Sequence, residues 1–475
     1  MQEPLPLTTE PIAEQATGGA GAGAAASSLV AAPEDVPSSG SPIDAILGPV
    51  SRQVQAVNRR VQAVERVLGR HAATRVLAAI PRTTGFALRT AFDRDAPVAG
   101  LPVTRITPRL LGGVALDEAI VTAAMRPDRF PRRADYDRVS AELAEARALF
   151  RSRGWLDDPR SYHRAPPSVG WREVRHSRRW ASGLGYESIS LPSAFAPRPE
   201  EPGAERWSAF EANRTAAAWV LRHDDDRPRP WLVCLHGFGM GPAYMGFTAF
   251  HAAHLHRTLG LNLIGPTLPL HGDRKGGAFS GDHLLTWDLM NSVHGLTQAV
   301  WDIRRLIGWV RDQEPAPTAV GVFGVSLGGY TASLLAAIEP GLDLVLAGIP
   351  VSDFPALFEA QSPAVIRARS LEHGILGDPA AEVHRVIAPL AMPSLVARDG
   401  RAIFAGIGDR LAPPQQAHNL WRHWDEPRLR WYPGNHVGYV WSAKVRAFVD
   451  EVLTDRGFVV ARGDEPAAPE HRAAS

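Results

Sequence analysis

Between residues 261 and 453 the chain repeats one order: a short apolar run, then a longer stretch with apolar residues every three or four positions. No other feature restricts the fold as strongly. The apolar runs fall at 261–264, 319–323, 342–349, 403–407 and 429–432. Their length suits strands buried on both faces. The longer stretches follow helical spacing, most clearly at Leu289, Val293, Leu296, Val300, Ile303, Ile307 and Val310, with others at 327–338, 415–424 and 443–453. Strand and helix alternating in this way predict a mostly parallel sheet covered by helices on both faces. Upstream, residues 187–191 alternate polar and apolar, and 215–221 and 231–235 are two further strand-like runs. The expectation is an α/β fold with a mixed sheet of about eight strands.

One junction in this pattern carries chemistry. The run ending at Phe323 leads into Gly324-Val325-Ser326-Leu327-Gly328, and a helix follows. A serine hydroxyl is a poor nucleophile unless it is exposed and a base takes its proton. A tight strand-to-helix turn supplies the exposure and leaves no room for side chains at its glycines. The uncharged stretch 319–338 is also long enough to cross a bilayer. Its glycines around a serine fit strand, turn and buried helix better. The bland alternative for the pentapeptide, a packing turn, does not account for both flanking elements.

Three more segments end strands on the same side. His236-Gly237-Phe238-Gly239 follows the run containing Cys234. The strand at 403–407 runs into Gly408-Asp409, and the one at 429–432 into Asn435-His436. In parallel sheets the loops at the carboxyl ends of strands are where sites form. His436 is therefore the candidate base, with Asp409 orienting it; Asp353, ending the strand before, is the rival acid, and Asp399 a weaker one. The backbone amides of Phe238 and Leu327 are the candidate oxyanion donors. His236 reads as a prop for its loop, and His418 and His423 as surface positions. His271-Gly272-Asp273-Arg274 with Asp282-His283 contains metal-ligating types, but without ligand spacing it reads as a loop lining the substrate. Cys234, the one cysteine, sits inside a strand and reads as a buried core residue.

These motifs, in the chain order serine, acid, histidine, resemble the α/β-hydrolase superfamily, and the likeness covers residues 205–455. The resemblance implies a serine hydrolase working through an acyl-enzyme without metal or cofactor. Ser326 would be nucleophile, Asp409 acid, His436 base, and Phe238 and Leu327 the oxyanion hole. The expected substrate is a small-molecule or lipid-like carboxylic ester. Thioester hydrolysis or acyl transfer by the same triad remains open, as does a catalytically dead scaffold on the same fold.

The rest bounds the organisation. A net charge of +1 gives no field for nucleic acid. Residues 1–40, rich in Gly and Ala and without Lys or Arg, read as a disordered tail with no targeting signal, so a cytoplasmic location is expected. Residues 41–170 read as a helical extension. Within it Val50, Val54, Val57, Val61, Val64 and Leu68 form one stripe that should dock on protein, Pro81 stops that helical run or follows a short helix ending near Ile80, and a second helix spans 135–153. The catalytic domain is expected at 171–458, with 353–393 as a small cap, and a disordered tail at 459–475.

Overall fold

The computed structural model describes residues 79–92, 100–124 and 130–460. The tail expected at 1–40 and the stripe from Val50 to Leu68 lie outside the described residues, as does all of the C-terminal tail except Val459 and Val460.

Nine strands form one sheet: β1 (Arg175–Ala181), β2 (Leu184–Pro192), β3 (Thr215–Leu221), β4 (Trp231–Leu235), β5 (Asn262–Pro266), β6 (Val320–Val325), β7 (Leu344–Gly348), β8 (Arg401–Gly406) and β9 (Arg428–Tyr432), in the order β1-β2-β3-β5-β4-β6-β7-β8-β9. The pairs β1/β2, β2/β3 and β3/β5 are antiparallel. From β5 to β9 every pair is parallel. β1 is the strand the sequence pattern misses. Its residues Arg-His-Ser-Arg-Arg-Trp-Ala are almost all exposed, so no buried face imprints an apolar alternation.

The helices used below are α1 (Ala79–Phe92), α2 (Pro108–Ala124), α3 (Arg133–Ser152), α4 (Leu289–Arg311), α5 (Leu327–Ala336), α6 (Phe354–Gln361), α7 (Ala364–Glu372), α8 (Asp378–His384), α9 (Pro414–His423) and α10 (Ala443–Asp455). Successive residues of β4 face opposite ways. Trp231, Val233 and Leu235 join a core with Val293 and Val300 of α4 and Leu334 of α5. Leu232 and Cys234 join a second core with Phe448 and Leu453 of α10. Both faces are thus buried, which is why the central strands read as unbroken apolar runs. The uncharged stretch at 319–338 divides into β6, a turn and α5, and among the described residues no helix is long and apolar enough to cross a membrane.

The N-terminal helices depart from expectation in one detail. Pro81 neither stops a helix nor follows one ending at Ile80, but lies in the first turn of α1. Amide groups there have no partner within the helix, so the missing N–H costs nothing. Helix α3 buries Tyr136, Val139, Leu143, Ala146 and Phe150 along one face. Along the edge of that face Arg147 bonds Glu382 of α8 at 2.8 and 2.5 Å, and Tyr136 meets the His373 ring at 5.0 Å. The helices α6–α8 fill the connection between β7 and β8. They are anchored on α5, where Tyr330 packs on Phe354 at 4.3 Å and donates to the Ile387 carbonyl at 2.9 Å.

Candidate active site

Ser326 stands at the turn between β6 and α5 with φ 58° and ψ −116°. A residue with a Cβ adopts that backbone only where its surroundings enforce it, and such strain concentrates at functional sites. The enforcement is visible. A Cβ on Gly324 would lie 2.0 Å from the Gly328 carbonyl oxygen, and one on Gly328 would lie 1.8 Å from that of Leu235 in β4. The Ser326 amide donates to the Gly348 carbonyl at 2.9 Å, tying the turn to β7 as well. Ser326 stays half-buried between fully buried neighbours. Leu327 opens α5, so its amide has no acceptor within the helix.

The loop after β4 lies against this turn, since a Cβ on Gly237 would sit 3.4 Å from the Cβ of Ser326. His236 is buried and spends both ring nitrogens on backbone. Nδ1–H donates to the Gly237 carbonyl at 2.9 Å, and Nε2 accepts from the Leu268 amide at 3.1 Å. Burial depresses its pKa to about 4, so the ring is neutral and fixed. It ties the Phe238 loop to the segment after β5. Phe238 packs edge-on to His271 at 5.6 Å.

That following segment is held by polar contacts of its own. His271 is buried, bonds the Pro269 carbonyl through Nδ1 at 2.9 Å, and has its pKa pushed down to about 3, first by burial and then by His236. Arg274 is buried against Asp302 at 2.7 Å and reaches the carbonyls of Thr267 and Asn213. Asp273 is exposed.

The strongest pairing is at the ends of β8 and β9. His436 Nδ1 lies 2.6 Å from Asp409 Oδ2, with both side chains buried. The other oxygen, Oδ1, accepts the Leu411 amide at 2.9 Å and the Ala412 amide at 2.7 Å. This carboxylate therefore has one oxygen fixed by backbone and one aimed at the imidazole. Burial works against a charge on His436, but the Asp409 carboxylate and its hydrogen bond, with Asp117 adding, raise the pKa above its ordinary value. Asp353 is occupied elsewhere, its Oδ1 capping α6 through the Ala356 amide at 3.0 Å. Asp399 pairs with Arg456.

Two sequence readings fail on α9. His418 is buried, its ring 5.7 Å from that of Trp421, and His423 is half-buried and bonds the Met392 carbonyl at 2.9 Å. The helix buries Gln416, Ala417 and Leu420, so a wider arc is covered than its apolar residues alone mark.

One residue at the site escapes the motif reading altogether. Asp117, from α2, is fully buried beneath the two loops. Its Oδ2 accepts the His436 amide at 2.8 Å and the Arg410 amide at 3.0 Å, and its Oδ1 accepts Asn435 Nδ2 at 2.8 Å. Burial, followed by the Asp409 charge, raises its pKa to about 6 against the opposing pull of these donors. Beside it Glu118 is equally buried, paired with Arg82 and, at 2.7 Å, with Arg410. The signal was in the spacing: Leu110, Gly113, Val114, Asp117 and Val121 share one face of α2, and an acid on an otherwise apolar face needs a buried partner.

A strained serine turn after the central β6 and a buried acid–histidine pair at the ends of β8 and β9 are thus set in a mixed, mostly parallel sheet with the α/β-hydrolase fold. The chain belongs to a family that it shares with two uncharacterized proteins of Mycobacterium tuberculosis. Each is 39% identical over 375 residues, spanning 76% of this chain and 85% of the relative. No family model matches the sequence. Similar solved structures include acetyl xylan esterase 1 from Thermoanaerobacterium, 14% identical over 64% of this chain and 91% of that one, with a TM-score of 0.43. Another is an acylaminoacyl peptidase from Pyrococcus horikoshii, 14% identical over 62% of this chain and 43% of that one, with a TM-score of 0.38.

Proposed function

We propose that the protein is a serine hydrolase that cleaves a carboxylic ester through an acyl-enzyme, with Ser326, His436 and Asp409 as its triad. The observation that carries the reading is the buried 2.6 Å contact between His436 Nδ1 and Asp409 Oδ2, in a chain that holds Ser326 in a strained turn directly after β6. The contact leaves Nε2 as the basic nitrogen, since Nδ1 carries the proton shared with Asp409.

In the first half-reaction Ser326 Oγ bonds to the ester carbonyl carbon as its proton passes to His436 Nε2. The carbonyl oxygen becomes an oxyanion, stabilised by the amides of Phe238 and Leu327 and by the N-terminus of α5. Collapse breaks the bond to the alcohol, which leaves with the proton from Nε2. Water then attacks the acyl carbon, gives a proton to Nε2, and the carboxylic acid departs as Ser326 recovers its hydrogen. Asp409 remains ionised throughout and stabilises the imidazolium. The helices between residues 353 and 393 act as a small cap over the nucleophile helix, and the substrate is a small-molecule or lipid-like ester.

The test is labelling with a fluorophosphonate, followed by turnover of aryl esters of increasing acyl length. The wild type should label at Ser326, and Ser326→Ala should lose labelling and several orders of magnitude of turnover while keeping its fold. Equal labelling of the variant refutes the assignment. The chain-length series then separates short-chain from lipid-like substrates.

A further inference from the structure

Helix α2 approaches the acid and base loops more closely than ordinary packing requires. A Cβ on Gly113 would stand 2.9 Å from the Cβ of Asn435, and one on Gly408 would stand 2.5 Å from Leu110 Cδ1. Two glycines, one on each side of the contact, thus let α2 settle onto both loops. At the bottom of the contact lies Asp117, 319 residues before the histidine whose amide it holds.

The chemistry of that contact requires a carboxylate. All three partners are donors, two backbone amides on Oδ2 and a side-chain amide on Oδ1. An asparagine would turn an N–H₂ group toward one of those donors in either orientation. A buried carboxylate is costly, but its three donors offset that cost, and an apolar residue would leave all of them unpaired. What the carboxylate adds is geometry, because one oxygen grips the residue after Asp409 and also His436 itself.

We propose that Asp117 is a positioning residue for the triad, fixing the acid loop to the base loop and thereby the aim of His436 Nε2. This rests on the hydrolase reading above. It also means that the N-terminal extension completes the catalytic machinery instead of merely covering it. Asp117 acts on His436 by charge as well as by position. The ionisable groups around it are Asp409, His436 and Tyr432 from the strand ends, Arg410 from the acid loop, and Glu118, Arg82 and Arg89 from the helices.

The experiment uses the full chain and compares wild type, Asp117→Asn and Val121→Ala, the last removing apolar bulk from the same buried face of α2. For each, kcat, KM, the fluorophosphonate labelling rate, thermal stability and the pH profile of kcat/KM are measured. Val121→Ala should lower stability and leave kcat and the profile unchanged. Asp117→Asn should lower kcat and labelling roughly 10- to 100-fold, the scale of a small misplacement of a reacting group, with KM within about twofold. It should also move the acid limb of kcat/KM to lower pH, because a negative charge beside the imidazolium is gone. If Asp117→Asn loses only stability, with kcat and the acid limb as in wild type, the proposal is overturned. Should that variant fail to fold, Asn435→Ala decides the matter, since it removes one of the three bonds. A several-fold lower kcat supports the proposal, and an unchanged kcat overturns it. Wild type that does not label at Ser326 defeats the hydrolase reading, and this proposal with it, whereas a labelled wild type with an indifferent Asp117 defeats this proposal alone.

Discussion

Replacing Asp409 by asparagine should disable the enzyme by a route that the hydrogen bonds make explicit. The carboxylate's Oδ1 accepts two backbone amides, from Leu411 and Ala412, while Oδ2 faces His436 Nδ1. An asparagine can present its oxygen to only one side. Turned so that its N–H₂ meets the two amides, it loses both bonds and leaves buried donors unpaired, at about 1–3 kcal/mol each. Turned the other way it keeps both and offers a donor to Nδ1, so the imidazole must carry its proton on Nε2. The second arrangement costs less and therefore prevails. It leaves the geometry intact but removes the lone pair that should accept the Ser326 proton. A wrong tautomer of this kind costs on the order of 10⁴ in turnover, equivalent to about 5.5 kcal/mol of transition-state stabilisation. The assay is kcat/KM on an aryl ester, with Asp353→Asn alongside. Asp353 caps α6 through one bond, so its variant should lose about 0.5–2 kcal/mol of stability and keep turnover within a few-fold. A crippled Asp353→Asn beside a nearly active Asp409→Asn would refute the reasoning and move the acid to β7.

Two further outcomes follow from the same structure. Gly328→Ala would put a Cβ 1.8 Å from the Leu235 carbonyl oxygen and 2.8 Å from that of His236, both backbone atoms of the sheet or its loop. It should destabilise by about 3 kcal/mol or more in urea titration and abolish labelling, and a wild-type midpoint would show that the turn can relax. Acid should unfold the protein early. His236 and His294, held near pKa 4 by burial, and His271 near 3 stay neutral in the fold while the unfolded chain binds protons below about pH 6.5. Their contribution is intact above that pH and is lost as pH falls toward 4. Asp117, raised to about 6, has the opposite sign, stabilising at low pH and losing that contribution as pH rises through 6. With His163 and His256, also held near 4, the rings outnumber the carboxyls held high, Asp117, Glu201, Asp288 and Asp302, so near pH 5 acidification removes stability by on the order of 1 kcal/mol per pH unit. Chemical denaturation at pH 7 and pH 5 measures it, and equal stabilities would contradict the burial of these rings.

The parallel half of the sheet was legible because burial on both faces writes itself as continuous apolar runs, and β3 and β4 match the expected spans of 215–221 and 231–235. β1 was not, because an exposed edge strand with three arginines carries no apolar period to read. Pro81 misled for a related reason. Proline ends a helix only where an amide is needed, and in the first turn of α1 none is. Among the site residues, those named by a motif share a local cause. Ser326 is recognisable from the glycines its turn demands, and Asp409 and His436 from the strands that run into them.

Asp117 shows where that kind of reading stops. Nothing within ten residues of it mentions a nucleophile, and its partners lie some three hundred residues downstream. Yet the physical clue is local: α2 places an acid on the same face as Leu110, Val114 and Val121, all of them buried. A carboxylate in that position must find donors, because a buried unpaired charge would outweigh what the surrounding apolar contacts supply. The sequence thus specifies that a partner exists without specifying which. What selects the partner is topology. β8 and β9 are adjacent and parallel, so their loops emerge side by side and present the amides of Arg410 and His436 to one oxygen. The same adjacency brings Asp409 to His436. The acid–base contact and its support from the extension therefore follow from one strand pairing, and a change that separates β8 from β9 would disrupt both together.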